Sequence, residues 1–95
     1  MAEVLMRFAE PLISSDGIKY HARACGAPVA DGRWEAWIEF HPADGTGSRL
    51  TPRETMQPNR ADAQYWATGL STVYLEGAFD RAQLSPAAAS APRGA

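Results

Sequence analysis

Residues 18–41, IKYHARACGAPVADGRWEAWIEFH, decide the fold of this chain. Apolar and polar side chains alternate from Ile18 to Cys25 and again from Trp34 to His41. A period of two over eight residues predicts a strand with one buried and one solvated face. The two segments are separated by the turn signal Asp31-Gly32. The stretch therefore predicts an antiparallel hairpin.

The register of this hairpin depends on the length of its loop. A two-residue loop would set Arg23 opposite Phe40 and would place the apolar side chains of each strand on the wrong side of its partner. A three-residue loop over residues 30–32, with Gly32 left-handed beside a bulge, removes the conflict. The predicted opposed pairs are Ala22–Phe40, Ala24–Ile38, Cys25–Trp37, Arg23–Glu39 and His21–His41. On the polar face, two basic residues of the first strand are expected to pair with two acidic residues of the second, namely Lys19 and Arg23 with Glu35 and Glu39.

Two further segments predict strands on either side of the hairpin. Residues 4–8 alternate in the same way, and Pro11 limits any extension to an edge position because proline cannot donate to the ladder. Residues 49–57 contain Pro52, which likewise removes one donor. This strand is therefore expected at an edge of the sheet or with a bend.

The C-terminal part predicts helix. Asn59 is a good N-cap, and Asp62 complements it three residues later. Ser71 is a candidate N-cap for a second helix that ends at Arg81, so one kinked helix and two successive helices both fit the sequence. An amphipathic stripe at spacings of three and four is expected to face the sheet: Trp66, Leu70, Val73, Tyr74 and Ala78.

Together these elements predict an α+β fold. An antiparallel sheet of three to four strands carries the C-terminal helix, kinked or in two short pieces, on one face. The core is expected to draw on both strands of the hairpin and on the helical part. Its predicted members are Ile18, Tyr20, Ala22, Trp34, Ile38, Phe40, Trp66, Leu70 and Val73.

Length and composition set the domain organisation. The chain has 95 residues and a formal net charge of −2. We expect one α+β domain over residues 1–82 and a disordered tail over residues 83–95, because the alanine and proline of the tail bury too little surface to offset the entropy of ordering. The sequence has no apolar run of the roughly 20 residues that a membrane span needs, no secretory signal and a single cysteine, Cys25. These features predict a cytoplasmic protein with no membrane contact.

The polar face of the hairpin offers a candidate metal site. His21 and His41 oppose each other in the predicted register, and imidazole is a common zinc ligand. Cys25 lies more than about 10 Å from that pair at the rise of a strand, so it neither joins the same ion nor pairs with His41 as a nucleophile. Two histidines alone make a weak, open site. We predict no metal and no cofactor, and a small-ligand or metal site at His21 and His41 is the alternative.

The sequence argues against catalysis and against nucleic-acid binding. It contains no nucleophile motif, phosphate loop or dinucleotide fingerprint, so no catalytic residue is predicted. Arginines at positions 49, 53 and 60 flank one loop, but Glu54 and Asp62 interleave with them and the whole chain is acidic. A nucleic-acid partner is therefore not expected.

Trp37 is the best indication of function. A tryptophan on the polar face of a strand is either covered by another part of the chain (Leu5, Leu12 or the tail) or offered to a partner, and tryptophan and arginine are enriched where binding energy concentrates. Residues 51–60 are similarly poor in core material, unless they form an ordinary edge strand and helix cap. We expect a non-enzymatic protein-interaction domain that binds a protein, a second copy of itself included. The predicted contact residues are Trp37, Arg53, Glu54, Gln57 and Arg60.

Several motifs resemble a family of short uncharacterised bacterial proteins: GRWEAWIEF at 32–40, TPRETMQP at 51–58, YWATGL at 65–70 and YLEGA at 74–78. The resemblance covers roughly residues 20–82 and implies a stand-alone bacterial domain, without an activity. The order of strand, hairpin, Phe-x-Pro-x-x-Gly turn and helix is also similar to HicB-type antitoxin domains, with Phe40, Pro42 and Gly45 at the turn. The chain departs from that family in a long insertion over residues 46–59. An antitoxin or regulatory module is therefore a second alternative.

Overall fold

The structure is a computed structural model, and it describes residues 2–84. Strands joined by turns occupy the chain up to residue 57, two helices follow, and a short strand comes last. In chain order the elements are β1 (Glu3–Arg7), β2 (Leu12–Ile13), β3 (Lys19–Pro28), β4 (Trp34–Pro42), β5 (Arg49–Leu50), β6 (Thr55–Gln57), α1 (Arg60–Thr68), α2 (Thr72–Arg81) and β7 (Gln83–Leu84).

All of these strands join one antiparallel sheet. The long central pair is β3 and β4; β1 and β2 share the position beside β3, β5 and β6 share the position beside β4, and β7 lies beyond β5. Both helices pack on one face of the sheet. The predicted α+β class is confirmed, although the sheet has seven strands rather than three or four. The difference comes from strands of two and three residues, which are too short to show an alternation in the sequence.

The central hairpin has the predicted loop length and register. The Val29 N–H donates to the Arg33 carbonyl at 2.8 Å, which encloses a three-residue turn over Ala30–Gly32. Gly32 is left-handed, with φ 74°, and Asp31 is left-handed as well, with φ 65°. Aspartate is one of the few residues with a side chain that tolerate this conformation. All five predicted opposed pairs are confirmed, from His21–His41 to Cys25–Trp37.

Pro52 breaks the strand predicted over residues 49–57 into β5 and β6. Thr51 maintains the contact with β4 across the break: its N–H donates to the Ile38 carbonyl at 2.9 Å, and its Oγ1 accepts from the Ile38 N–H at 3.0 Å. Beyond the proline, the Glu54 N–H donates to the Ala36 carbonyl at 2.8 Å. Thr51 is accordingly buried, with 6% of its surface exposed.

The C-terminal helical part forms two successive helices and not one kinked helix, the other arrangement that the sequence allows. The Asn59 side chain accepts from the Asp62 N–H at 2.8 Å and begins α1. The Ser71 side chain accepts from the Tyr74 N–H at 3.1 Å and begins α2. Both predicted N-caps are therefore confirmed.

The core differs from the prediction at Val73, which is 75% exposed. Residues 69–71 lie between the two helices and interrupt the period, so that Leu75 and Ala78 of α2 are buried instead.

Tyr20, Ala22, Ile38 and Phe40 are buried as predicted, and Ile18, Trp34, Trp66 and Leu70 pack against them partly buried. Phe79 was missed; its ring packs edge-on against Phe40, with 5.1 Å between centroids. Five alanines are fully buried: Ala24, Ala36, Ala63, Ala67 and Ala78. Ala78 belongs to the stripe predicted to face the sheet and Ala24 to the predicted pair with Ile38, whereas Ala63 and Ala67 were not predicted.

The sheet extends two residues beyond the predicted domain boundary at residue 82. Gln83 and Leu84 form β7 and pair with Leu50 and Arg49 of β5. The rest of the predicted tail, residues 85–95, lies outside the described residues. No helix between residues 2 and 84 is long and apolar enough to cross a membrane.

Alanine substitutions at two glycines distinguish the effect of close packing on stability from the effect of helix propensity. A methyl group at Gly26 would lie 2.9 Å from the Glu35 carbonyl oxygen and 2.9 Å from Leu5 Cδ1, whereas one at Gly77 would approach only Arg81 Nη1, at 3.5 Å. We expect Gly26→Ala to lower the free energy of unfolding by about 1–3 kcal/mol. Gly77→Ala, in the interior of α2, should raise it by about 0.5–1 kcal/mol. Urea denaturation measures both, and a neutral Gly26→Ala would contradict the β1–β3–β4 packing described above.

Candidate functional site

The sheet presents one face that no helix covers within residues 2–84. Side chains alternate along β3 and β4, so the residues between the buried ones point away from the helices. Residues of the neighbouring strands share this face through their register. We call it the open face, and its members include Val4, Arg7, Lys19, His21, Arg23, Cys25, Glu35, Trp37, Glu39, His41, Leu50 and Met56.

A chain of hydrogen bonds runs along β4 on the open face. The Trp37 indole donates to Glu39 Oε2 at 3.0 Å, and His41 Nε2 donates to Glu39 Oε1 at 2.8 Å. The Ser48 hydroxyl lies 2.8 Å from His41 Nδ1. Because a carboxylate only accepts, Nε2 carries the ring hydrogen, and in the neutral ring Nδ1 accepts from Ser48. The chain orients both rings and attaches the loop after β4 to the sheet.

The hydrogen bonds around Glu39 keep its carboxyl ionised. Burial opposes its ionisation, but the hydrogen bonds from Trp37 and His41 outweigh this and lower the pKa of Glu39 below its ordinary value of 4.5. Glu39 is therefore a fixed negative charge, with 18% of its side chain exposed.

Both ring nitrogens of His41 form hydrogen bonds, and this argues against the alternative metal site at His21 and His41. His21 does lie opposite His41 as predicted, but His41 has no free lone pair to give a cation while Ser48 donates to it. Among residues 2–84, no group of three or more histidine, cysteine or carboxylate side chains is arranged to hold a metal ion. The geometry thus leaves one free imidazole, that of His21, rather than two ligands.

Ser48, His41 and Glu39 stand in the order of a nucleophile, a base and an orienting acid. Ser48 was not among the predicted site residues; the pattern Glu-x-His on one strand face, followed by a serine in the next loop, could have indicated it. Two concave regions are found elsewhere, a hollow of about 270 Å³ beside Arg7 and His21 and a groove of about 750 Å³ between α2 and residues 8–15, and Ser48 lines neither. We therefore interpret the contact as an anchor for the loop.

Cys25 is not a nucleophile in this structure. It is 3% exposed, and burial, together with the neighbouring Glu39 carboxylate, raises the pKa of its thiol to about 12. A thiol with that pKa stays protonated at neutral pH and is inert. Its contribution to the open face is apolar.

The expected charge pairs across β3 and β4 do not form. The ion pairs among residues 2–84 are Arg60–Glu3 and Arg81–Glu54, and Glu39 is held by its hydrogen bonds from Trp37 and His41. Because Glu39 is held by its own strand, Arg23 has no carboxylate of the described chain within 4 Å, although Glu39 is its cross-strand neighbour. On its other side Arg23 lies opposite Arg7, and like charges directly opposed destabilise a strand pair. Both arginines line a hollow of about 270 Å³ together with His21.

Trp37 lies near the middle of the open face and is partly buried by its neighbours. Neither of the described residues proposed to cover it does so, because Leu5 belongs to the core and Leu12 lies opposite the buried Tyr20. The third proposed cover, the tail, falls largely outside the described residues.

The other predicted contact residues do not share the face of Trp37. Glu54 was expected to be exposed, but 7% of its side chain is exposed, and it accepts hydrogen bonds from Tyr74 at 2.5 Å and from Arg81 at 2.6 Å on α2. Gln57 lies opposite Trp34 on the helix side, and the Arg60 guanidinium lies 5.9 Å from the centre of that ring. Arg53 is exposed at the Pro52 break.

Searches of protein-family models, of curated proteins and of solved structures each find no match. The structure does form the turn over Phe40, Pro42 and Gly45, in which the Gly45 N–H donates to the Pro42 carbonyl at 3.2 Å. The resemblance to the short bacterial family and to HicB-type domains remains a prediction.

The lowered pKa of Glu39 predicts a pH dependence of stability. Since the pKa is lower in the folded than in the unfolded state, Glu39 stabilises the fold above its ordinary pKa of 4.5, and this contribution is lost as the pH falls through the lowered value. We expect Glu39→Gln to lose less stability than the wild type between about pH 6 and pH 3 in urea denaturation. The control Glu35→Gln keeps Glu39 and should lose as much as the wild type. Equal losses in all three proteins would contradict this role of Glu39.

Proposed function

We propose that the protein is a non-enzymatic, cytoplasmic interaction domain that binds a second copy of itself through the open face. The observation that carries the proposal is the division of charge on that face. The half formed by β1 and β3 is basic and the half formed by β4 is acidic: Arg7, Lys19 and Arg23 against Glu35 and Glu39. A surface with one basic and one acidic half complements itself across a two-fold axis.

The direction of the axis follows from the same charges. An axis that lies between two facing sheets, parallel to the strands, sets β3 of one copy over β4 of the other and keeps each row of residues in register. Arg23 of each copy then faces Glu39 of the other copy. An axis perpendicular to the strands would instead set β3 over β3 and bring like charges together, which opposes association.

The same axis brings apolar surface together at the centre. Trp37 of each copy faces Cys25 of the other, since these two residues are opposed across β3 and β4. Cys25 carries a neutral thiol, and Val4 lies beside it on β1. A tryptophan seated on such a surface, with charged residues around it, matches the usual anatomy of an interface.

The area of the open face suits a moderate dimer. Four strand positions spaced by about 4.8 Å, with strands of roughly 30 Å, give a face of about 600 Å² per copy. Two faces would bury about 1,200 Å², which lies at the lower end of specific, stable interfaces. We expect a dimer that dissociates on dilution rather than an obligate one.

A charge-swap experiment tests this proposal. Arg23→Glu sets two carboxylates against each other at each contact, and Glu39→Arg sets two guanidinium groups against each other. Each variant alone should therefore be monomeric by analytical ultracentrifugation at concentrations where the wild type dimerises. Mixed in equal amounts, the two variants should form a heterodimer, because the native Arg23 of one faces the native Glu39 of the other at one contact, and the two introduced charges, which are opposite, face each other at the second. The double variant, Arg23→Glu with Glu39→Arg, makes the same test within a single protein.

The double variant restores opposite charges at both contacts, with their signs exchanged, and should dimerise again. The control Arg33→Glu makes the same charge reversal in the hairpin loop and should dimerise like the wild type. A wild type that is monomeric at about 1 mM, or single variants that dimerise as it does, would overturn the proposal.

Trp37→Ala tests the apolar centre independently of charge. We expect it to weaken dimerisation at least about tenfold. The free energy of unfolding of the dilute, monomeric protein should change by no more than about 1 kcal/mol. A larger loss in urea denaturation would show that Trp37 belongs to the core rather than to the interface.

A further inference from the structure

A groove of about 750 Å³ lies on the helix side of the sheet, between α2 and residues 8–15. It exists because the chain leaves the edge of β3 over residues 9–11, at Pro11, and because the two helices separate over residues 69–71. Its volume falls within the range of small-molecule sites. It lies behind the sheet as seen from the open face, so an occupant would not compete with a second copy there.

The floor of the groove is apolar and reaches the core. Ala22 and Leu75, which line it, are 4% and 8% exposed and belong to the central hydrophobic cluster. Two aromatic side chains, Phe8 and Phe79, line it as well and pack against that cluster partly buried. A ligand seated here would bury apolar surface against a preformed floor.

The rim of the groove is acidic. Glu10, Glu76 and Asp80 line it, and no lysine, arginine or histidine of the described chain does. None of the three carboxylates forms an ion pair within 4 Å among residues 2–84. Glu76 and Asp80 are four residues apart on α2, a spacing at which like charges destabilise a helix. Helix α2 thus carries two neighbouring carboxylates at the mouth of an apolar groove, without a cationic partner among residues 2–84.

We propose that this groove binds a small organic amine, with its apolar body on the floor and its protonated amino group at the acidic rim. A cation there would relieve the repulsion between Glu76 and Asp80. A carboxylate of the same shape would meet three like charges. The groove therefore discriminates by charge at the rim and by apolar fit on the floor.

Three probes with the same apolar body test the proposal: 4-phenylbutylamine, 4-phenylbutanol and 4-phenylbutyrate. We would titrate each into the full-length protein and follow the backbone amide signals of residues 8–15 and 70–80 by NMR. The amine should bind at least about tenfold more tightly than the alcohol, and the carboxylate more weakly than the alcohol. Equal binding of the three probes, or no shift of these signals at millimolar amine, would overturn the proposal.

The double variant Glu76→Gln, Asp80→Asn tests whether these two carboxylates cause the preference for the amine over the alcohol. It removes a like-charge pair from an exposed helix surface, so the fold should persist. The affinity for the amine should fall about tenfold while that for the alcohol stays unchanged. The control Asp31→Asn, in the hairpin loop and outside the groove, removes a charge where asparagine tolerates the left-handed conformation, and should leave both affinities unchanged. An unaltered preference for the amine in the double variant would overturn the assignment of the charge selection to this rim.

Discussion

The register of the β3–β4 hairpin is the constraint on which the rest of the structure depends. The left-handed pair Asp31 and Gly32 closes a three-residue loop, and this loop length puts Ala24 opposite Ile38 on one side and Cys25 opposite Trp37 on the other. A shift by one residue would turn Trp37 and Glu39 toward the helices and expose Ile38. The core, the docking of the helices and the content of the open face all follow from that one loop.

On the open face, the hydrogen bonds that Glu39 accepts along its own strand leave the neighbouring arginines without a carboxylate partner among the described residues. Glu39 accepts from Trp37 and His41 on its own strand, so it does not pair with Arg23, and the opposed arginines of β1 and β3 keep their full charge. The same network fixes the His41 ring, while burial, together with the neighbouring Glu39 carboxylate, raises the pKa of the Cys25 thiol and keeps it protonated. What remains is a surface of divided charge around a tryptophan.

Much of the fold could be predicted from residues whose effect is local. Alternation indicated the two long strands, the turn chemistry indicated the register, and Asn59 and Ser71 indicated both helix starts. The prediction was wrong where tertiary contacts decide: Val73 is exposed because residues 69–71 shift the phase of α2, and Glu54 is covered by Tyr74 and Arg81, which lie twenty or more residues away along the chain. Of the predicted contact residues only Trp37 lies on the open face. The acidic groove was not foreseeable, because no pattern in the sequence brings residues 8–15 to α2.

The most direct test of this account is an isotope-filtered NOE experiment on an equal mixture of labelled and unlabelled protein at a concentration that favours association. The account predicts cross-peaks between the Trp37 ring of one copy and the Cys25 side chain of the other. Intermolecular cross-peaks confined to the helices, for example at the exposed Tyr65 and Val73, would contradict it.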